Sequence, residues 1–162
     1  MAYDTGGRVT VRRFAMIHQM TGLREWRWTT AVARVVDDEA RWAYPDECCG
    51  WLLGPGAGLV TAVASAANEE GAAQSRMRYL MTAHSYRQAE ARASGEGLQI
   101  VGVYHSHPDH PARPSATDLA EAWPSWLYVI VPVTAGTPGE ARAWTLQDDR
   151  SGFAAVPIQP AD

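Results

Sequence analysis

The stretch Tyr104–Glu121, YHSHPDHPARPSATDLAE, constrains this chain more than any other. Residues 99–103 (QIVGV) read as a buried strand leading into it. Side chains alternate faces along a strand, so His105 and His107 point one way and Ser106 the other, with the two imidazoles about 7 Å apart along the strand. Pro108, Pro111 and Pro114 forbid regular structure in the loop that follows. Ala116 to Trp123 reads as a short helix ended by Pro124, and Asp118 falls in its first turn, where the chain can fold back on the histidines. Two imidazoles and one carboxylate form a three-ligand set of the kind that holds catalytic zinc, with a fourth position left for water; a structural zinc takes four protein ligands, usually including paired cysteines.

The spacing His105-x-His107, seven residues, Ser115, two residues, Asp118 resembles the signature of the JAMM (MPN+) metallopeptidases. That family also carries a glutamate on an earlier strand, and Pro45-Asp46-Glu47-Cys48-Cys49-Gly50-Trp51-Leu52-Leu53-Gly54 matches its context. The resemblance extends over roughly residues 24–158. It implies an α+β domain of the cytidine-deaminase-like JAMM/MPN type, a curved mixed β-sheet flanked by helices with the metal at one edge. Residues 1–23 are then an extension of unknown role and 159–162 a tail.

The resemblance also implies a site. One Zn2+ is held by His105, His107 and Asp118 with a bound water, Glu47 serves as general base and acid, and Ser115 hydrogen-bonds the developing oxyanion. The implied activity is hydrolysis of a peptide or isopeptide bond after the C-terminal Gly-Gly tail of a ubiquitin-like partner. For a chain this short, the partner class is a sulfur carrier of the ThiS or MoaD type. A glycine tail suits a narrow groove, because it has no side chains to exclude and a permissive backbone. A catalytically inactive MPN-type scaffold for protein contacts is the alternative, but such relatives lose ligand positions that this chain keeps. A zinc nucleobase deaminase would need His-x-Glu and a later Pro-Cys-x-x-Cys, and neither is present.

Each residue also has a structural reading. Ser115 and Asp118 match a capping box, which is compatible with a ligand in the capped turn. The histidines alone could be packed strand residues, and Glu47 alone an exposed turn residue. His18, His84 and His110 read as surface or packed histidines. Trp123 and Trp126 read as packing residues. Cys48 and Cys49 are adjacent, a poor geometry for a disulfide, and lack the spaced pairs of a zinc knuckle; they read as a small buried apolar pair, with a thiol beside the metal as the sharper alternative.

Composition narrows the function classes. At 162 residues, 46% apolar and 20% charged, the chain fits one globular domain with a sizeable core. A net charge of −4 argues against broad nucleic-acid or anionic-membrane binding. No run of about 18 apolar residues suggests a membrane span, and MAYDTGGRVTVRR lacks the apolar centre of a secretory signal, so a cytoplasmic location is expected. All fourteen basic residues are arginine, for which genomic composition is the plain explanation.

Along the chain, residues 1–28 are locally basic, with Arg8, Arg12, Arg13, Arg24 and Arg27 against Asp4 and Glu25, and Val9 and Val11 hint at a strand. A flexible arm, an edge strand or a homodimer contact all suit them. Thr29 or Thr30 caps a helix to about Ala43, with Val32, Val35, Val36 and Ala40 inward and Asp37, Asp38 and Glu39 toward water. Gly50–Gly54 and Leu59–Ala67 form a hairpin about Pro55-Gly56-Ala57-Gly58, with Glu47 at its mouth. Residues 68–75 read as polar loop and 76–81 as a short strand or lead-in. Thr82 caps a second helix through Ala93, closed by Gly95 and Gly97. Trp126–Val133 reads as a central strand, 140–147 as an alternating one after a Gly136-Pro138-Gly139 turn, and Phe153–Ile158 as an edge strand.

Overall fold

A computed structural model describes residues 25–70 and 75–161, together with the backbone pairing of two short strands, β1 (Ala2–Tyr3) and β2 (Val9–Thr10). Of the residues singled out above in the amino-terminal region, Asp4, Arg8, Val11, Arg12, Arg13, His18 and Arg24 lie outside the described residues.

The elements follow the order β3 (Trp26–Trp28), α1 (Thr30–Ala43), β4 (Cys49–Gly54), β5 (Leu59–Val60), β6 (Ala62–Ala66), α2 (Ala83–Gly95), β7 (Gln99–Pro108), α3 (Ala116–Glu121), β8 (Leu127–Thr134), β9 (Thr137–Pro138), β10 (Arg142–Leu146), β11 (Phe153–Val156) and β12 (Ile158–Pro160). The architecture is the expected α+β one. Its main sheet is mixed, in the order β11-β10-β8-β7-β4-β6, with β9 pairing β8. β7 runs antiparallel to β4 and parallel to β8. α3 lies in the connection between the two parallel strands, as parallel pairing requires a crossover. The ligand-bearing strand is therefore interior to the sheet.

One helix covers each face. Against α1 pack Trp26, Leu52, Val60, Val101, Tyr104, Val129 and Val131; with α2 pack Trp51, Leu53, Val103 and Tyr128. The neighbours Val101 and Val103 belong to different faces although they are two residues apart. A register shift between Leu52 and Leu53 explains this: Leu52 pairs Gly102 and Leu53 pairs Ile100, leaving Val101 as an extra residue. That bulge sets the phase that sends Val103, His105 and His107 to the α2 face.

The helices start as expected. Thr29 Oγ accepts from Val32 N–H at 3.3 Å, and Thr82 Oγ from Ser85 N–H at 3.4 Å. Other expectations change. Val35 is 41% exposed rather than part of the inward stripe. Glu39 does not face water: its carboxylate accepts from the hydroxyls of Tyr104 and Ser65. Tyr104 lies over Gly50, where a Cβ would overlap the tyrosine ring and hydroxyl. The second strand of the hairpin divides at Thr61, whose N–H donates to Leu53 O at 2.9 Å. β6 stays with β4, while β5 joins β3 and β12 in a small parallel sheet. That sheet pairs Gln159 and Pro160 with Arg27 and Trp28, and it places Trp26 in the core. Residues 76–81 are turn and irregular chain rather than strand, because Asn68 and Glu69 hydrogen-bond this backbone instead of a neighbouring strand. α3 ends at Glu121, short of Trp123.

Candidate metal centre

The side chains at the carboxyl end of β7 set the chemistry of the site. His105 and His107 stand on one face, with their Nε2 atoms 3.0 Å apart. Asp118, from the first turn of α3, brings Oδ1 to 3.3 Å from His105 Nε2 and Oδ2 to 3.8 Å from His107 Nε2. One ligand atom from each residue lies within 4.8 Å of the others, and all three residues are buried. Ligands at 2.0–2.1 Å on a tetrahedral zinc are separated by about 3.3 Å, and the three distances bracket that value. Nitrogen and carboxylate donors are also what zinc accepts, so the donor set fits the ion.

Local sequence explains the convergence. The loop after β7 is pinned where Asp109 N–H donates to Val133 O at 2.7 Å, while the Asp109 carboxylate accepts from Tyr44 Oη at 3.0 Å and from Ala135 N–H at 3.1 Å. The chain then turns so that Pro111 O lies 2.9 Å from His107 Nδ1. A carbonyl only accepts, so Nδ1 carries the hydrogen and Nε2 presents its lone pair to the cluster. The capping box forms in full: Asp118 N–H donates to Ser115 Oγ at 3.1 Å, and Ser115 N–H donates to Asp118 Oδ2 at 2.6 Å. The cap and the candidate ligand are thus one structural unit. Ser115 itself is exposed, with its hydroxyl beside the cavity.

Electrostatics mark the cluster. Burial alone would raise Asp118, but the neighbouring imidazoles of His105 and His107 and the Ser115 N–H outweigh it and hold the carboxyl well below the usual range. Burial lowers His105. Burial would also lower His107, yet the Asp118 and Pro111 contacts raise it on balance. Glu47 is 6% exposed, and burial pushes its carboxyl up to about 8, partly countered by His107. It lines the same cavity of about 550 Å3 as His107, Ser115 and Asp118.

Several residues of this cavity were not identified from sequence as site residues. Tyr79 stacks on His105, with ring centroids 4.5 Å apart and planes at 29°. Trp51, Tyr86, Trp123 and Trp126 form an aromatic wall; Trp51 meets Tyr86 at 5.4 Å and Trp126 at 5.8 Å, both edge-on, and Trp123 stacks on Trp126 at 5.7 Å. Trp123 and Trp126 therefore pack, as expected, and also line the cavity. The one usable sequence signal was Trp51 inside the glutamate motif, two residues along from Cys49, the strand partner of His105.

His110 and His84 are exposed and outside the ligand cluster. Cys48 and Cys49 are free and buried. Burial raises both thiols, Cys48 to about 11, so neither is an activated nucleophile. No helix among the described residues is long and apolar enough to cross a membrane.

Comparison with known proteins gives a concordant picture. The family model described as prokaryotic homologs of the JAB domain matches residues 29–147. A protein from Haloferax volcanii described as desampylase is 38% identical over 88 residues, 53% of this chain and 62% of that protein. A Thermus thermophilus protein described as a probable TtuB-protein conjugate cleaving protease is 45% identical over 53 residues, 33% of this chain and 32% of that one. The chain thus spans less than two thirds of either relative. A solution structure of a protein from Salinibacter ruber is 46% identical, with a TM-score of 0.65, covering 84% of this chain and 92% of that chain. The family match spans well over half of the sequence and includes both motifs, so this chain belongs to the prokaryotic JAB-domain family.

Proposed function

We propose that this chain is a zinc metallopeptidase that hydrolyses a peptide or isopeptide bond after the C-terminal Gly-Gly tail of a ubiquitin-like protein of the sulfur-carrier class. In this reading residues 24–158 form the catalytic domain and 1–23 an extension. The observation that carries it is the buried convergence of His105, His107 and Asp118 within 4.8 Å, with Glu47 sharing a cavity with His107 and Asp118. One relative described as cleaving protein conjugates of TtuB supports a protein conjugate as substrate.

His105, His107 and Asp118 would hold the ion. Bound zinc supplies Lewis acidity, which brings the pKa of a water to about 7 and polarises a carbonyl. Glu47 takes the proton of the attacking water at its carboxylate and later delivers it to the departing amine. The Ser115 hydroxyl accepts the Asp118 N–H, which leaves its own hydrogen to donate to the oxyanion. His107 is kept in its ligating tautomer by Pro111 O.

The test is a panel of glycine-tailed carrier fusions incubated with the purified protein, with and without chelator. The expected result is release of the fused segment at the Gly-Gly end, lost with chelator and restored by zinc. Zinc-loaded protein that cleaves none of the panel would remove the substrate assignment.

A further inference from the structure

We infer that Asn68 is a positioning residue for Glu47, acting through the chain segments that flank it; this rests on the peptidase reading above. Glu47 precedes β4, so the sheet does not hold its own backbone. Its N–H donates to Ser75 O at 2.8 Å, and its C=O accepts from Asn68 Nδ2 at 3.1 Å. Both polar groups of its peptide backbone therefore depend on Asn68 and Ser75. The Asn68 side chain does more than reach Glu47. Nδ2 also donates to Arg78 O at 3.0 Å, and Oδ1 accepts from Glu70 N–H and Leu80 N–H, each at 3.1 Å. One amide thus joins the two flanks of the connection, 68–70 and 75–80, to each other and to Glu47. At the far end, Ser75 Oγ donates to Asp46 Oδ1 at 2.8 Å, beside Glu47 in sequence.

The chemistry selects asparagine. Two N–H donors meet the carbonyls of Glu47 and Arg78, and one carbonyl oxygen meets two backbone N–H groups, which uses both faces of a short planar amide. Aspartate has the same shape but no donors, and would set a carboxylate against two carbonyl oxygens while keeping the Glu70 and Leu80 bonds. The segment so fixed also carries Tyr79, which stacks on His105. Asn68 therefore sets where the Glu47 carboxyl stands relative to the ligand cluster without touching substrate or metal.

The test uses the full chain carrying Asn68→Asp, and Asn68→Ala as a control for charge. In the metal-free protein, amide hydrogen exchange at Glu47 should accelerate in both variants. The Leu80 amide should keep its protection in Asn68→Asp and lose it in Asn68→Ala, while amides of β7 stay protected in both. With a glycine-tailed fusion, kcat should fall about 10- to 100-fold, the usual scale for a supporting hydrogen bond of a metal site, with zinc content retained and KM little changed. In a Glu47→Gln background, Asn68→Asp should add no further loss. Unchanged exchange at Glu47, an unchanged kcat, or an equal loss in the Glu47→Gln background would each overturn the assignment. Should the Asn68 variants fail to fold, Ser75→Ala is expected to show the same pattern at smaller size, and its absence there would count equally against it. A wild-type protein that cleaves no fusion would overturn the peptidase reading, while exchange at Glu47 would still decide whether Asn68 holds the Glu47 backbone.

Discussion

The two halves of the candidate site are held by different kinds of structure. His105 and His107 stand on β7, an interior strand hydrogen-bonded on both sides, and Asp118 is fixed by the capping box it forms with Ser115. Glu47 sits ahead of β4, with its backbone bound to a loop and to the amide of Asn68. The half with the candidate ligands is rigid by secondary structure, and the half with the proposed base by a few tertiary hydrogen bonds. Precise ligand geometry needs rigid elements, whereas a general base needs only to reach its water, so a loop suffices to carry it. Substitutions in the first half should therefore act on metal content, and those in the second on turnover alone.

The largest expected effect tests the first half. His107→Ala should abolish zinc binding, read by elemental analysis, and reduce cleavage to background; retained stoichiometric zinc would remove His107 from the ligand set. Next, Glu47→Gln should keep zinc and lose about 100- to 10,000-fold in kcat, the range for general acid–base catalysis. If that variant also loses zinc, the division between the two halves fails. Ser115→Ala touches both, because one hydroxyl caps α3 and faces the cavity. The oxyanion donor predicts a loss on the order of 100-fold in kcat. The lost cap predicts about 1 kcal/mol of stability, measurable by urea denaturation.

Smaller effects concern stability. Gly50→Ala places a methyl against Tyr104 and disturbs its bond to Glu39; overpacking of this kind costs about 1–3 kcal/mol, with zinc binding retained by the refolded protein. In the metal-free protein, burial lifts Glu47 from 4.5 to about 8 and His107 is raised from 6.5. Each binds a proton in the folded state that the unfolded chain has released, so stability falls as pH rises through their folded values. His105 is lowered, and its contribution is complete above 6.5. Thermal denaturation in chelator should therefore show Tm falling between pH 6.5 and 8.5, with a shallower slope in Glu47→Gln.

Much of the architecture was legible because it rests on local rules. Thr29 and Thr82 announce helix starts, Pro55-Gly56-Ala57-Gly58 a reversal, and the apolar run at 127–133 an interior strand. The capping box could be read from Ser115 and Asp118, since its partners are three residues apart. Where the reading failed, the deciding partner was distant in sequence. Glu39 is drawn inward by Tyr104, 65 residues away. The hairpin strand divides because β3 and β12 take its first half into a second sheet. The Trp26–Trp28 strand could not be told from a flexible arm or a dimer contact, because its partners, β12 and β5, are contributed by later parts of the chain.

The order of the elements, the ligand spacing and the cap follow from this sequence alone, because neighbouring residues determine backbone dihedrals and face alternation. Only the tertiary structure settled which residues line the cavity and which groups hydrogen-bond the Glu47 backbone. Tyr79, Trp51 and Asn68 owe their roles to approaches between segments tens of residues apart, and no periodicity in a chain encodes a contact whose two sides are fixed independently.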